Sequence, residues 1–199
     1  MIDVQKLKDT RNVDIQKVGI KNFELPLVLQ VKNSHLNQTV CANARVSVSL
    51  PKDYKGTHMS RFVEVLTKWQ TKSITGFDIK KCLKDIIKTL EAQSGELEFR
   101  FKYFIEKKSP VTNNTSQMCY ECSFEGILEN FGCEDEEYKF YLGVKVPVAT
   151  LCPCSKEISE YGAHNQRAIV SVRITYPEDE HIWIEDLVNS IENCASSAL

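Results

Sequence analysis

Two cysteines and a histidine are the residues of this 199-residue sequence best equipped for chemistry. Cys152 and Cys154 flank Pro153, and His164 follows within Gly162-Ala-His-Asn-Gln-Arg167. Thiolate and imidazole are the donor pair that zinc and similar divalent ions favour. Pro153 fixes its own φ and holds Cys152 extended, so one sulfur can be aimed at a ligand while its neighbour points elsewhere. Gly162 lets the chain turn just before the histidine. No second Cys/His pair follows at zinc-finger spacing. A metal held here keeps room for a further ligand and for water, which suits catalysis better than structure. The same residues also read as packed core cysteines beside a hydrogen-bonded histidine. Spacing alone does not choose between these readings, nor does it say which sulfur points inward.

Longer stretches around these residues carry more information. Leu151-Cys-Pro-Cys-Ser-Lys-Glu-Ile-Ser, Gly162-Ala-His-Asn-Gln-Arg and Pro51-Lys-Asp-Tyr-Lys-Gly-Thr-His-Met-Ser-Arg-Phe62 together resemble the prokaryotic type IB GTP cyclohydrolases I. The N-terminal segment with Gly19-Ile-Lys-Asn22 is similar too, and the resemblance covers essentially the whole chain. It implies hydrolytic opening of the GTP imidazole ring, giving formate and 7,8-dihydroneopterin triphosphate for folate biosynthesis. It implies Cys152 and His164 as ligands of a divalent metal (zinc, manganese or iron) and Cys154 as a catalytic thiol beside it, although the two cysteines could exchange roles. Such an ion lowers the pKa of a bound water toward neutrality. The triphosphate needs cations. Lys55, His58, Arg61, Lys156 and Arg167 lie in the two motif segments, with Ser60 and Gln166 able to add neutral hydrogen bonds. Each of these also reads as a solvated surface group, and Ser60 as the N-cap of the helix it precedes.

The resemblance further implies tandem tunnelling-fold modules, tetramers whose barrels close between subunits, and a site at a subunit interface. Members of the family run on for about half a module more, so the expectation is that this chain lacks a C-terminal part bearing a further acidic metal ligand, a purine-anchoring glutamate and a functional histidine. On that view the 199-residue chain alone has doubtful activity. The rival expectation is a shortened, non-catalytic relative that binds purine or metal and oligomerises. A redox protein is a third class, but Cys-Pro-Cys lacks the two-residue gap of thioredoxin-like motifs.

The background composition is that of an ordinary globular protein: 42% hydrophobic and 26% charged residues, with a net charge of −2. It gives no reason to expect nucleic acid or an anionic membrane surface as partner. Met1-Ile-Asp-Val-Gln-Lys carries no signal-peptide core and no stretch approaches a membrane span, so the expected location is the cytoplasm. The eight cysteines are then expected as thiols. Cys119 and Cys122 sit in an alternating, strand-like run. Residues three apart on a strand face opposite sides, so that pair reads as structural.

The elements that must position the motif residues are legible as periodicity. After a polar arm over residues 1–17, residues 18–31 read as an edge strand interrupted by Pro26. Residues 39–50 alternate, with Val40, Ala42, Ala44, Val46, Val48 and Leu50 on one face. A helix is predicted from near Ser60 and a second over 75–92, with Ile79, Leu83, Ile86, Ile87 and Leu90 as its stripe and Gly95 just past its end. Strands are predicted over 96–105, 117–128, 138–149 and 167–176, with a helix from about His181 bearing Ile184, Leu187, Val188 and Ile191 and preceded by acidic residues. Ala44-Arg-Val-Ser-Val-Ser-Leu-Pro51 echoes Ala168-Ile-Val-Ser-Val-Arg-Ile-Thr-Tyr-Pro177 as a weak internal repeat. The predicted fold is α+β: tandem β-β-α-α-β-β modules with an antiparallel sheet and helices on one face. The first module spans residues 1–130, and an incomplete second spans 131–199.

Overall fold

The structure, a computed structural model, describes residues 13–52, 54, 56–109, 114–151, 154, 157, 165–195 and 197–198. Lys55, Cys152, Lys156 and His164 lie outside the described residues. The fold is α+β. Its strands are β1 (Ile15–Gln30), β2 (Asn37–Leu50), β3 (Ser73–Ile74), β4 (Gly95–Lys108), β5 (Thr115–Glu129), β6 (Glu137–Leu151), β7 (Asn165–Ile174) and β8 (Ser197–Ala198). The helices are α1 (Met59–Trp69), α2 (Gly76–Leu90) and α3 (Ile184–Cys194). Apart from the two-residue β3, the first part runs β-β-α-α-β-β, and the chain then continues β-β-α.

One sheet takes all eight described strands, in the order β3-β1-β2-β4-β5-β6-β7, with β8 beside β6. Only the β1–β3 contact is parallel. The turn that joins β5 to β6 contains the 130–131 boundary, and those two strands pair from Glu121↔Lys145 to Glu129↔Glu137. The two expected modules therefore share a sheet.

Parity along the strands decides where the core lies. Ala42 pairs with Phe101, Phe101 with Cys122, Phe124 with Leu142 and Leu142 with Ile174, so residues of one parity on each strand share a face. That face is apolar and buried against the helices. Leu97, Leu128 and Leu142 are fully enclosed with Phe62 and Leu66 of α1 and Ile79, Leu83, Ile86 and Ile87 of α2. Cys122 is buried on this side and Cys119 is exposed on the other, as alternation requires.

The opposite face carries charge of both signs, from Glu98, Arg100, Lys102, Glu121, Glu125, Lys145 and Arg173, and the signs alternate along the row Lys102, Glu121 and Lys145. Lys145 pairs with Glu121 at 2.7 Å, Arg173 with Glu125 at 2.8 Å and Arg100 with Glu98 at 2.8 Å. Glu98, Arg100, Lys102, Glu121, Lys145 and Arg173 line an open concavity of about 650 Å³.

Local chemistry sets the helix boundaries, and in three places it departs from the sequence reading. Ser60 is not an N-cap: His58 occupies that position and Ser60 is an exposed residue of the first turn. Gly95 does not end α2. Glu91 does, in the left-handed region with φ 55°. Gly95 instead opens β4 beneath the helix, where an added Cβ would stand 3.0 Å from Ile87 Cγ1. The third helix begins at Ile184 rather than His181. His181 stacks on Phe77 at 4.8 Å and meets the Trp183 ring edge-on at 4.5 Å, and the segment before Ile184 is not helical. The start of α2 is the firmest of these ends. Thr75 and Asp78 form a reciprocal capping box, with Thr75 N–H donating to Asp78 at 2.9 Å. β1 starts at Ile15, inside the stretch read as a polar arm, and accommodates Pro26 opposite Cys41 of β2. Among the described residues, no helix is long and apolar enough to cross a membrane.

Candidate metal and substrate site

The hairpin of β6 and β7 presents the cysteine and histidine motifs. Its ladder runs from Leu142↔Ile174 to Leu151↔Asn165 without a register shift. Leu151 is the residue before Cys152 and Asn165 the residue after His164. The ladder thus ends one residue short of both candidate ligands, one on each strand. Cys154 is exposed. Gln166 and Arg167 occupy the first turns of the same ladder, opposite Thr150 and Ala149, and both are exposed. Thr150 Oγ1 donates to the Gln166 carbonyl at 3.4 Å, a long contact across the last pairs. Among the described residues, no three His, Cys, Asp or Glu side chains converge as a metal site.

The end of β6 is held from its other side as well. β5 pairs with β6 only as far as Glu121↔Lys145, and β8 then takes up the ladder at Val148↔Ala198 and Ala149↔Ser197. β8 follows directly on α3, and α3 is pinned to the sheet by its carboxylates. Tyr103 Oη donates to Glu185 Oε1 at 2.8 Å, and Tyr120 Oη donates to Glu192 Oε1 at 2.6 Å. Lys107 Nζ donates to Glu192 Oε2 and to Asn189 Oδ1, each at 2.7 Å, while Lys32 pairs with Asp186. Burial, reinforced by the neighbouring carboxylates, pushes both tyrosine hydroxyls far above their ordinary range, so both remain protonated donors. The sequence reading does not single out these braces. The available signal was Glu185 and Glu192, seven residues apart and hence two turns along one face, beside the apolar residues Ile184 and Val188.

The second motif group lies at the other end of the sheet. His58 and Arg61 line a small cleft with Val48, Leu50, Pro51, Tyr54, Leu90 and Glu91. Its free volume, about 20 Å³, accommodates little more than one water. Arg61 Nη1 donates to the Thr89 carbonyl at 3.4 Å, so part of its guanidinium serves the C-terminal end of α2. Val48 pairs with Gly95, Gly95 with Leu128 and Leu128 with Tyr138, which places this cleft level with the start of β6. From Tyr138 to Leu151, β6 spans roughly 40 Å at the usual strand rise. The fold therefore brings Cys154, Gln166 and Arg167 to one end and sets His58, Ser60 and Arg61 at the opposite end.

Comparison with known proteins resolves what this arrangement belongs to. The family model described as "Type I GTP cyclohydrolase folE2" matches residues 1–199. The chain belongs to the type I GTP cyclohydrolase FolE2 family. It is 49% identical over 199 residues to GTP cyclohydrolase FolE2 of Thermosipho africanus, covering 100% of this chain and 73% of that protein. It is 47% identical over 197 residues to the protein of the same name from Geotalea uraniireducens, covering 99% of this chain and 69% of that protein. The FolE2 protein of Geobacter metallireducens is 48% identical over 197 residues, covering 99% of this chain and 72% of that protein. FolE2 relatedness thus extends through both motif groups, at both ends of the sheet.

Proposed function

We propose that this chain works as a GTP cyclohydrolase I of folate biosynthesis, opening the imidazole ring of GTP by hydrolysis to give formate and 7,8-dihydroneopterin triphosphate. The observation that carries the reading is the position of the FolE2 motif at the end of the β6–β7 ladder, where Leu151 and Asn165 are the last pair. Cys152 and His164 are the residues that hold a divalent ion of zinc, manganese or iron. Their thiolate and imidazole suit zinc by donor softness, and a carboxylate as third ligand would admit the other two. Such an ion, when bound, supplies Lewis-acid polarisation and a water of lowered pKa.

The protein's own groups do the rest. Cys154, exposed beside the ligand-bearing ladder, moves a proton to or from the imidazole ring of the substrate. Arg167 and Lys156 oppose the triphosphate charge, and Gln166 offers a neutral hydrogen bond. Lys55, His58, Ser60 and Arg61 belong to a second phosphate-facing group. With His58, Ser60 and Arg61 roughly 40 Å from Cys154 along β6, the two groups meet on one GTP only if a second copy contributes one of them.

An assembly answers that requirement. Among the described residues, β7 is paired on one side only, and the outer side of β1 is met only by the two residues of β3. Antiparallel sheets with open edges of this length call for cover. Tunnelling-fold modules whose sheets join between subunits into a barrel, as a homotetramer, provide it. The test is formate release from GTP and a fluorescent pterin after oxidation, with manganese and with zinc. Cys152→Ala and His164→Ala should each lose bound metal and turnover. If both retain metal at the unmodified level, the ligand assignment fails.

A further inference from the structure

We infer that Glu192 is a positioning residue for the metal ligands: through α3 and β8 it holds the end of β6 from which Cys152 issues. The inference rests on the reading of Cys152 and His164 as ligands. Its basis is a mechanical path through described residues. β6 outruns β5 after Lys145, so its last residues have β7 on one flank and would otherwise present an open edge on the other. β8 covers that flank at Val148 and Ala149, three residues before Cys152. A strand of two residues has little pairing of its own, and where it lies depends on the helix that delivers it. The last turn of α3 is fixed at Glu192, whose two carboxylate oxygens are both engaged: Oε1 by Tyr120 at 2.6 Å and Oε2 by Lys107 at 2.7 Å. The side chain is only 11% exposed. Tyr120 is itself fully buried on β5, so the anchor is rigid. Ile184 and Val188, both buried, seat the same helix, and Ile191 and Ala195 pack against the core at its last turn. Apolar packing is not directional, whereas the charge-assisted hydrogen bonds from β4 and β5 to Glu192 are short and directional and set where that turn lies.

The test uses cobalt(II) as a probe, since a cobalt–thiolate bond gives an absorption that reports ligand geometry as well as occupancy. Glu192→Ala should weaken cobalt binding about tenfold and alter the thiolate band, the lower end of what is lost when a ligand's support is removed. Glu192→Gln, which keeps an acceptor for Tyr120, should recover most of the affinity. Ser197→Pro with Ala198→Pro removes both N–H groups of β8 without touching α3, and should reproduce the Glu192→Ala spectrum in a chain whose helix is intact. Far-ultraviolet circular dichroism checks that each variant is folded. If Glu192→Ala and the β8 variant both bind cobalt with the original affinity and band while Cys152→Ala loses the band, Glu192 is not a positioning residue and the ligand reading stands. If Cys152→Ala keeps the band, the ligand reading fails and this inference with it.

Discussion

His181 shows what single residues do in this fold. Both of its ring nitrogens are buried with no hydrogen-bond partner among the described residues, between Phe77 and Trp183. Burial holds its pKa below the ordinary imidazole value of 6.5, while the nearby carboxylates Glu185 and Asp186 pull the other way. The unfolded chain takes up a proton more readily than the folded one. The stability this neutral ring contributes is therefore present above pH 6.5 and falls as the pH drops from there toward the folded-state pKa. His181→Phe keeps the stacked ring and removes the titration. Its urea midpoint should vary less with pH below 6.5 than that of the unmodified protein, and an unchanged slope would place the proton uptake elsewhere. Asp78 titrates in more acidic solution still. Burial alone would raise its pKa, but hydrogen bonds from Thr75 and Lys81 outweigh this and hold the carboxyl below its ordinary value of 3.8. Its contribution is present above that value and is lost as acid protonates it in the folded state. Thr75→Ala should cost about 1 kcal/mol at neutral pH, measured by urea unfolding, as loss of a helix cap does.

Between elements, the decisive contacts are where α2 presses on the sheet. An added Cβ at Gly126 of β5 would come within 2.7 Å of Ile79 Cγ2, closer than unstrained atoms approach. Gly126→Ala should destabilise by about 1–3 kcal/mol, read as a lower denaturation midpoint, because a packed core admits an extra methyl only by shifting. This contact also marks the limit of what the sequence disclosed. Alternation over β2, β4 and β5 and the 3.6-residue stripe of α2 expose the elements and the buried face directly, since each periodicity has one geometric meaning. Glycines 95 and 126 carry no such code: their need comes from a helix atom more than seven residues away in sequence, visible only once the layers are stacked. The same holds for the false start of α3. Acidic residues before an apolar stripe look like a first turn, but His181 packs its ring sideways between two aromatics, and stacking outweighs a weak local preference. Motif residues were legible because chemistry restricts their types. Their separation to opposite ends of the sheet was not, because it depends on the direction of β2 relative to β6.

At the scale of the whole molecule, the sheet has one dry face and one wet face. One ion pair on the wet face is exposed on both sides, with Lys145 at 56% and Glu121 at 62%. Pairs of this kind contribute under about 1 kcal/mol each, so Lys145→Met should leave thermal stability nearly unchanged. A large drop in Tm would mean that assembly buries the pair. Light scattering should give a mass near four chains, and a stable, active monomer would contradict the proposed assembly. The last pair of the β6–β7 ladder, Leu151 with Asn165, has a consequence for how this gene can change length. Cys152 and His164 are each counted from that pair and not from one another. One codon inserted within β6 would flip every later side chain of that strand to the other face and put Cys152 out of step with His164. One codon inserted between Lys156 and Gly162 leaves both counts intact. A glycine added there should keep cobalt bound, whereas the same glycine added between Val146 and Val148 should abolish it.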